Sequence, residues 1–230
     1  MSHAALRVSE AMAGDDHGRK GLAMMSVRER FLRTMRYEPV DRPLRPPPGN
    51  PWPATRERWE REGLPKGVNL AEYFGMDDLK IRHVGIETLF WPPFAVEVLE
   101  ETDEFVIRIN ERGVKVREFK DGSSMPEFLE YPIKGPESLG WLRERLAWRA
   151  ERVLPDWLAQ ARRWREEDCV LLCNGGMYFA FLNEHLGTDH LMLMYFDHPE
   201  FIHEINDRLC ALCERALELA LAEIELDFIG

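Results

Sequence analysis

The side chains best suited to chemistry fall in three stretches of the chain. In the first, Asp168 to Gly187, the apolar run Val170-Leu171-Leu172 leads into Asn174-Gly175-Gly176 and then into a helical pattern that starts around Met177 and Tyr178. A buried strand, a tight turn and a helix in that order place the turn where ligands sit in α/β folds, past the carboxyl end of a strand. The Gly-Gly turn suits either an anion held by backbone amides at the helix start or a plain tight turn, because no dinucleotide-binding or P-loop glycine pattern surrounds it. Tyr178 either donates to a substrate carboxylate or packs at the helix start. In the second stretch, Glu87 and Trp91 pair a carboxylate with an aromatic face. They could line a pocket for a flat ligand, or serve as a solvated loop acid and a core aromatic. In the third, Asp227 alternates with apolar neighbours in the last predicted strand, as either a carboxylate facing a pocket or an ordinary strand-end acid.

Other constellations read as structure. Cys210 and Cys213 form a CxxC, but they lie in the apolar stripe of a long helix with Leu209, Leu212 and Leu217, and no second pair follows at zinc spacing. His185, His190, His198 and His203 include no pair at the i, i+4 spacing that aims two imidazoles one way, so surface or capping roles are expected. No metal ligand set is therefore expected in this chain. The four cysteines are expected to be reduced thiols.

The elements that must carry these residues change in texture along the chain. Residues 1–24 lack periodicity and are expected to be a disordered tail, with Met24 and Met25 as alternative starts. Ser26 and Glu29 form a capping box for a helix from Val27 to Arg36, with Phe31, Leu32 and Met35 as its apolar stripe. The stretch Tyr37–Pro53 holds seven prolines, too many missing donors for a central strand. Alternating strands are predicted at Val84–Leu89, Val96–Leu99, Glu104–Ile109 and Val114–Phe119, with Asn110–Gly113 as a hairpin turn. Ser138–Arg165 is predicted helical with a break at Pro155. A short helix over Thr188–Tyr195, a long one from Pro199 to about Glu223 and a buried strand at Leu226–Ile229 complete the pattern.

With 230 residues, 45% of them apolar, the chain has ample material for a packed core. Its 41 acidic against 30 basic residues give a formal charge of -11, which disfavours nucleic acid or an anionic membrane as a general partner. No apolar run reaches the roughly 20 residues of a membrane helix, and no secretory leader is visible; a cytoplasmic protein is expected.

Three segments together resemble the uroporphyrinogen decarboxylase family. Ser26-Val-Arg-Glu-Arg-Phe-Leu-Arg-Thr-Met-Arg-Tyr-Glu-Pro-Val-Asp-Arg-Pro43 is similar to the family's opening helix and its entry to the first strand. Glu127 to Leu139 is similar to the segment before the third strand, and Asp168 to Gly187 to that strand and its helix. The resemblance implies a (β/α)8 TIM-barrel type of α/β fold, of which residues 25–230 hold about the first half, with an antiparallel insertion at Leu99–Phe119. It further implies a tetrapyrrole substrate, decarboxylated without a cofactor. Arg45 stands where the family has an arginine clamp, Glu87 near its second-strand aspartate and Asn183 roughly at a helix tyrosine. A related implication is methyl transfer with zinc and a corrinoid-linked partner, as in the superfamily's cobamide-dependent methyltransferases. The last predicted strand has nothing after it to cover it, so a missing C-terminal half or a homodimer partner is expected.

Overall fold

The computed structural model describes residues 23–47, 49, 51–122 and 124–230; the expected tail at 1–24 lies outside them except for its last two residues. Within them the chain is a mixed α/β fold with one parallel and one antiparallel sheet. The parallel sheet has three strands, β1 (Ile81–His83), β6 (Val170–Cys173) and β7 (Phe228–Ile229), side by side in chain order. Ile81 pairs with Val170, and Leu172 with Phe228. Every residue of β6 is buried, as a parallel strand covered on both faces requires. The described residues show no closed barrel.

The strand predicted at Val84–Leu89 needs correction. The ladder ends at His83, with the Val84 amide still donating to the Leu172 carbonyl at 2.9 Å. The chain then turns sharply, the Ile86 amide reaching the Val84 carbonyl at 2.7 Å, and Ile86 forms an antiparallel bridge to Val153. Gly85 permits this turn: a Cβ there would lie 3.1 Å from Trp157 and 3.2 Å from Leu154. Residues 85–89 are thus the loop after β1, and apolar alternation there reflects packing against a neighbouring segment.

The long connection from β1 to β6 contains the antiparallel sheet β2 (Glu97–Glu101), β3 (Phe105–Ile109), β4 (Lys115–Phe119) and β5 (Glu127–Glu130), in that order. Three of these strands match the alternating pattern; β5 extends the expected insertion beyond Phe119. It is held by Phe128 opposite Val116 and by an Arg117–Glu127 ion pair of 2.8 Å.

The helices are α1 (Val27–Met35), α2 (Pro53–Arg61), the short α3 (Leu70–Tyr73), α4 (Leu139–Arg145), α5 (Trp157–Glu166), α6 (Tyr178–Leu186), α7 (Thr188–Asp197) and α8 (Pro199–Glu223). Two clusters of buried side chains share α8. Phe201, Ile205 and Leu209 from its first half pack with Leu142, Leu182 and Leu191 of α4, α6 and α7. Ala216 and Ala220 from its second half meet Ala161 of α5 and Leu171 of β6. Their small side chains let helix and sheet approach closely.

Ser26 caps α1 as its sequence predicts, accepting from the Glu29 amide at 3.1 Å. The stripe differs: Met35 is exposed, whereas Arg30 is buried beside Phe31. Arg30 donates to both Asp41 oxygens at 2.7 Å and to Asp77 at 3.0 Å, and Arg42 donates to the two Asp77 oxygens at 2.7 and 2.6 Å. The Asp41-Arg42 pair of the opening motif is therefore part of a buried ion network that fastens α1 to the proline-rich segment. Arg30 and the Met25 and Arg42 amides hold the Asp41 carboxyl far below the usual carboxylate range.

Candidate functional site

The turn of the β3–β4 hairpin reaches the carboxyl ends of the parallel strands. Asn110 shapes that turn: its side-chain oxygen accepts from the amides of Arg112 and Val114, each at 3.0 Å, and Gly113 takes φ 78°. A Cβ on Gly113 would lie 2.9 Å from the Phe94 ring, so glycine is required by contact as well as by conformation. Arg112 is thereby carried to the loop after β1 and the loop after β6.

Three clefts meet around Arg112. One of about 130 Å3 lies between Thr88 and Leu89 of the loop after β1 and Asn174, Gly176 and Met177 after β6, with Cys213 from α8. A second of about 350 Å3 holds Glu87, Trp91, Glu111 and His185. A third of about 380 Å3 on the hairpin side holds Asn183, Glu184 and Arg108. Arg112 borders all three and pairs with Glu184 of α6 at 2.6 Å, with roughly half of both side chains exposed. A guanidinium with one exposed carboxylate partner retains donors for a bidentate bond to a ligand acid.

The loop after β1 is rigid for a reason that lies beneath it. Arg152 is completely buried and spends its guanidinium on four carbonyls, those of Ala147, Glu87, Leu89 and Arg145. With no carboxylate bonded to it, burial pushes its pKa down to about 10, where it remains charged at neutral pH. Glu87 and Leu89 are thus positioned from behind by one cation.

His185 is buried, contrary to the surface role expected for it. Its ring packs 4.7 Å from Phe90 and 4.4 Å from Phe181, centroid to centroid, and Nδ1 lies 2.6 Å from the Phe181 carbonyl. A carbonyl only accepts, so Nδ1 carries the proton and Nε2 is the acceptor. Burial pushes its pKa down to about 4, leaving a neutral imidazole on the wall of the cleft. All four cysteines are free, and burial makes two of them poor nucleophiles, raising Cys213 and taking Cys173 up to about 11.

Of the residues expected from sequence, Asn174, Glu87, Trp91 and Asn183 line these clefts. Arg45, Tyr178 and Asp227 line none of the three. Arg45 is exposed, its backbone locked to Asp77 by bonds of 2.8 and 2.7 Å in the two directions. Tyr178 packs against the helical core, its hydroxyl 3.4 Å from the Gly175 carbonyl and its pKa raised by burial to about 12. Asp227 lies beside Leu171, towards the amino end of the strands. Its side chain is 2% exposed and accepts from Arg28, Arg165 and the Leu171 amide. Burial alone would raise its carboxyl, but these donors outweigh burial and hold it below its usual value. Sequence reading missed Arg112, His185 and Thr88; the hairpin turn itself was the one available signal for Arg112.

Gly175 and Gly176 serve the turn. The Gly175 amide donates to the Gly230 carbonyl at 2.7 Å, and a Cβ there would lie 2.2 Å from an Ile229 methyl. Gly176 has φ 99° with the Tyr178 ring where its Cβ would be. Among the described residues no group of three His, Cys, Asp or Glu is placed to hold a metal ion, and no helix is long and apolar enough to cross a membrane. Comparison with protein-family models, with curated proteins and with solved structures finds no match.

Proposed function

We propose that the chain forms the substrate-binding part of a uroporphyrinogen decarboxylase-type enzyme of tetrapyrrole metabolism, built on a barrel of which β1, β6 and β7 are successive strands. The observation that carries this reading is the convergence of Arg112, Glu87, Trp91 and Asn174 at the carboxyl ends of those strands. Strand order equal to chain order supports single winding, as in a barrel, since doubly wound sheets reverse their order at a switch point. Arg112 takes the part of the arginine clamp that the segment around Arg45 does not provide here. Its guanidinium orients a propionate or acetate substituent, and Trp91 offers an aromatic face. Glu87 is the acid that attends the pyrrole nitrogens as the ring takes up electrons from the breaking carbon–carbon bond.

For the related methyl transfer to a corrinoid with a zinc-held thiolate, the described residues hold no ligand set. Titration of the 230-residue protein with uroporphyrin, followed by porphyrin fluorescence, tests the proposal. Saturable quenching is expected, weakened about tenfold or more by Arg112→Ala, as the loss of a charge-assisted hydrogen bond implies. Quenching that never saturates, or that ignores the substitution, would count against it.

A further inference from the structure

On the opposite side of the antiparallel sheet, away from Asn183 and the third cleft, lies a separate cavity of about 470 Å3 between the sheet and α4. Its floor is the face of β2–β5 that presents Leu99, Ile109 and Lys115, with Ile109 and Glu130 directly opposite Lys115 in the register. Its walls are Phe94, Trp141 and Tyr131. Phe94 and Trp141 stand edge to face, centroids 5.6 Å apart. The volume lies within the range of small-molecule sites, and aromatic walls with a few convergent polar groups are their usual lining.

The charges on this cavity are unlike those of the molecule. The chain carries a formal charge of -11, yet Lys115, Lys134 and Arg145 border the cavity with Glu130 as its one acid. Glu130 bonds Lys134 at 2.8 Å and also lies opposite Lys115, whose charge helps hold its carboxyl below the usual value, so one acid is shared among three cations. Arg145 is held in place by stacking 4.1 Å above the Phe94 ring and donating to the Pro92 carbonyl, which leaves its other donors available. Three cations facing one carboxylate beside an aromatic slot leave an excess of positive charge that an anionic group would balance.

We infer that this cavity binds a flat aromatic carboxylate, its ring between Phe94, Trp141 and Tyr131 and its acid group on Lys115 and Arg145. The site lies on the opposite face of the sheet from the third cleft, with Tyr131 at the edge of both, and shares no charged residue with the clefts around Arg112; its occupant is one or two fused rings, too small to be a tetrapyrrole. Equilibrium dialysis of the full chain against 2-naphthoate, with 2-naphthylmethanol as the uncharged counterpart, tests this. Naphthoate should bind saturably and at least fivefold tighter than the alcohol. Lys115→Gln should abolish most of that difference, Lys134→Gln should reduce it less, and Arg112→Ala should leave it unchanged while weakening uroporphyrin. Far-UV and near-UV circular dichroism identifies any variant that fails to fold; the Lys134→Gln comparison then decides. Equal binding of acid and alcohol, indifference to both lysine substitutions, or loss of naphthoate binding in Arg112→Ala would overturn the inference.

Discussion

Arg152 and Gly175 show two ways in which one residue can fix a loop at the candidate site. Arg152 has four carbonyls and no acid, so Arg152→Met, which keeps the stem but strands four buried acceptors, should cost about 3 kcal/mol in urea unfolding. Gly175 gives way to Ile229, so Gly175→Ala should cost roughly 1–3 kcal/mol through overpacking. Gly140→Ala is the control: no atom lies within 4 Å of its Cβ position and it sits in α4, so a gain of about 0.5–1 kcal/mol is expected. His185 makes the third residue-scale prediction. In the unfolded chain its imidazole takes up a proton near pH 6.5, in the folded protein only near 4. Its contribution is complete above about pH 6.5 and is lost as the pH falls towards 4, amounting to about 3 kcal/mol. His185→Leu should flatten that limb of the stability profile; an unchanged profile would show that the acid sensitivity arises elsewhere. Of these residues, sequence marked Gly175 but neither Arg152 nor His185. An arginine near a proline and a histidine in an apolar helix carry no local sign of which distant carbonyls or rings will enclose them.

At the level of elements, Asp227 acts on three at once. Its carboxylate joins Arg28 of α1 and Arg165 of α5 to the segment entering β7. Asp227→Asn removes one charge from between two cations, and about 2–3 kcal/mol of destabilisation is expected, less than for a fully buried pair because both guanidiniums are partly exposed. Amide exchange at the Asp227 and Gly230 amides, which bond the Leu171 and Cys173 carbonyls, should quicken more than exchange in β3. Elements whose patterns are local were legible: β2, β3 and β4 from alternation, α8 from its proline start and long stripe, β6 from its apolar run. β1 and β5 were displaced or missed because their boundaries depend on partners distant in sequence, Val153 for the bend after β1 and Val116 and Arg117 for β5.

Across the whole molecule, α8 ties the helical core to the sheet core, and the antiparallel sheet stands on the connection between β1 and β6. The α/β class was readable from the alternation of apolar strands with helical stripes; the place where the hairpin meets the sheet was not, because no periodic pattern records which end of one sheet faces another. That hairpin sets a coupling testable on the intact chain. Replacing Asn110 with Ala removes both bonds that shape the turn, and the resulting loss of Arg112 placement should weaken uroporphyrin binding by several-fold while costing only about 1–2 kcal/mol of stability.

The pairing of Ile81 with Val170 also has a kinetic meaning. Hairpins such as β3–β4 close short loops in microseconds, whereas β1 can join β6 only after the chain between them has been gathered in, an entropic cost that grows with the logarithm of the intervening length. In pulse-labelling during refolding, the Val84 amide, which seals β1 to Leu172, should therefore become protected after the amides of β3 and β4. The loop bearing Glu87 and Thr88 follows β1 directly, so ligand-binding competence should arrive with that last protection step, and later than compactness.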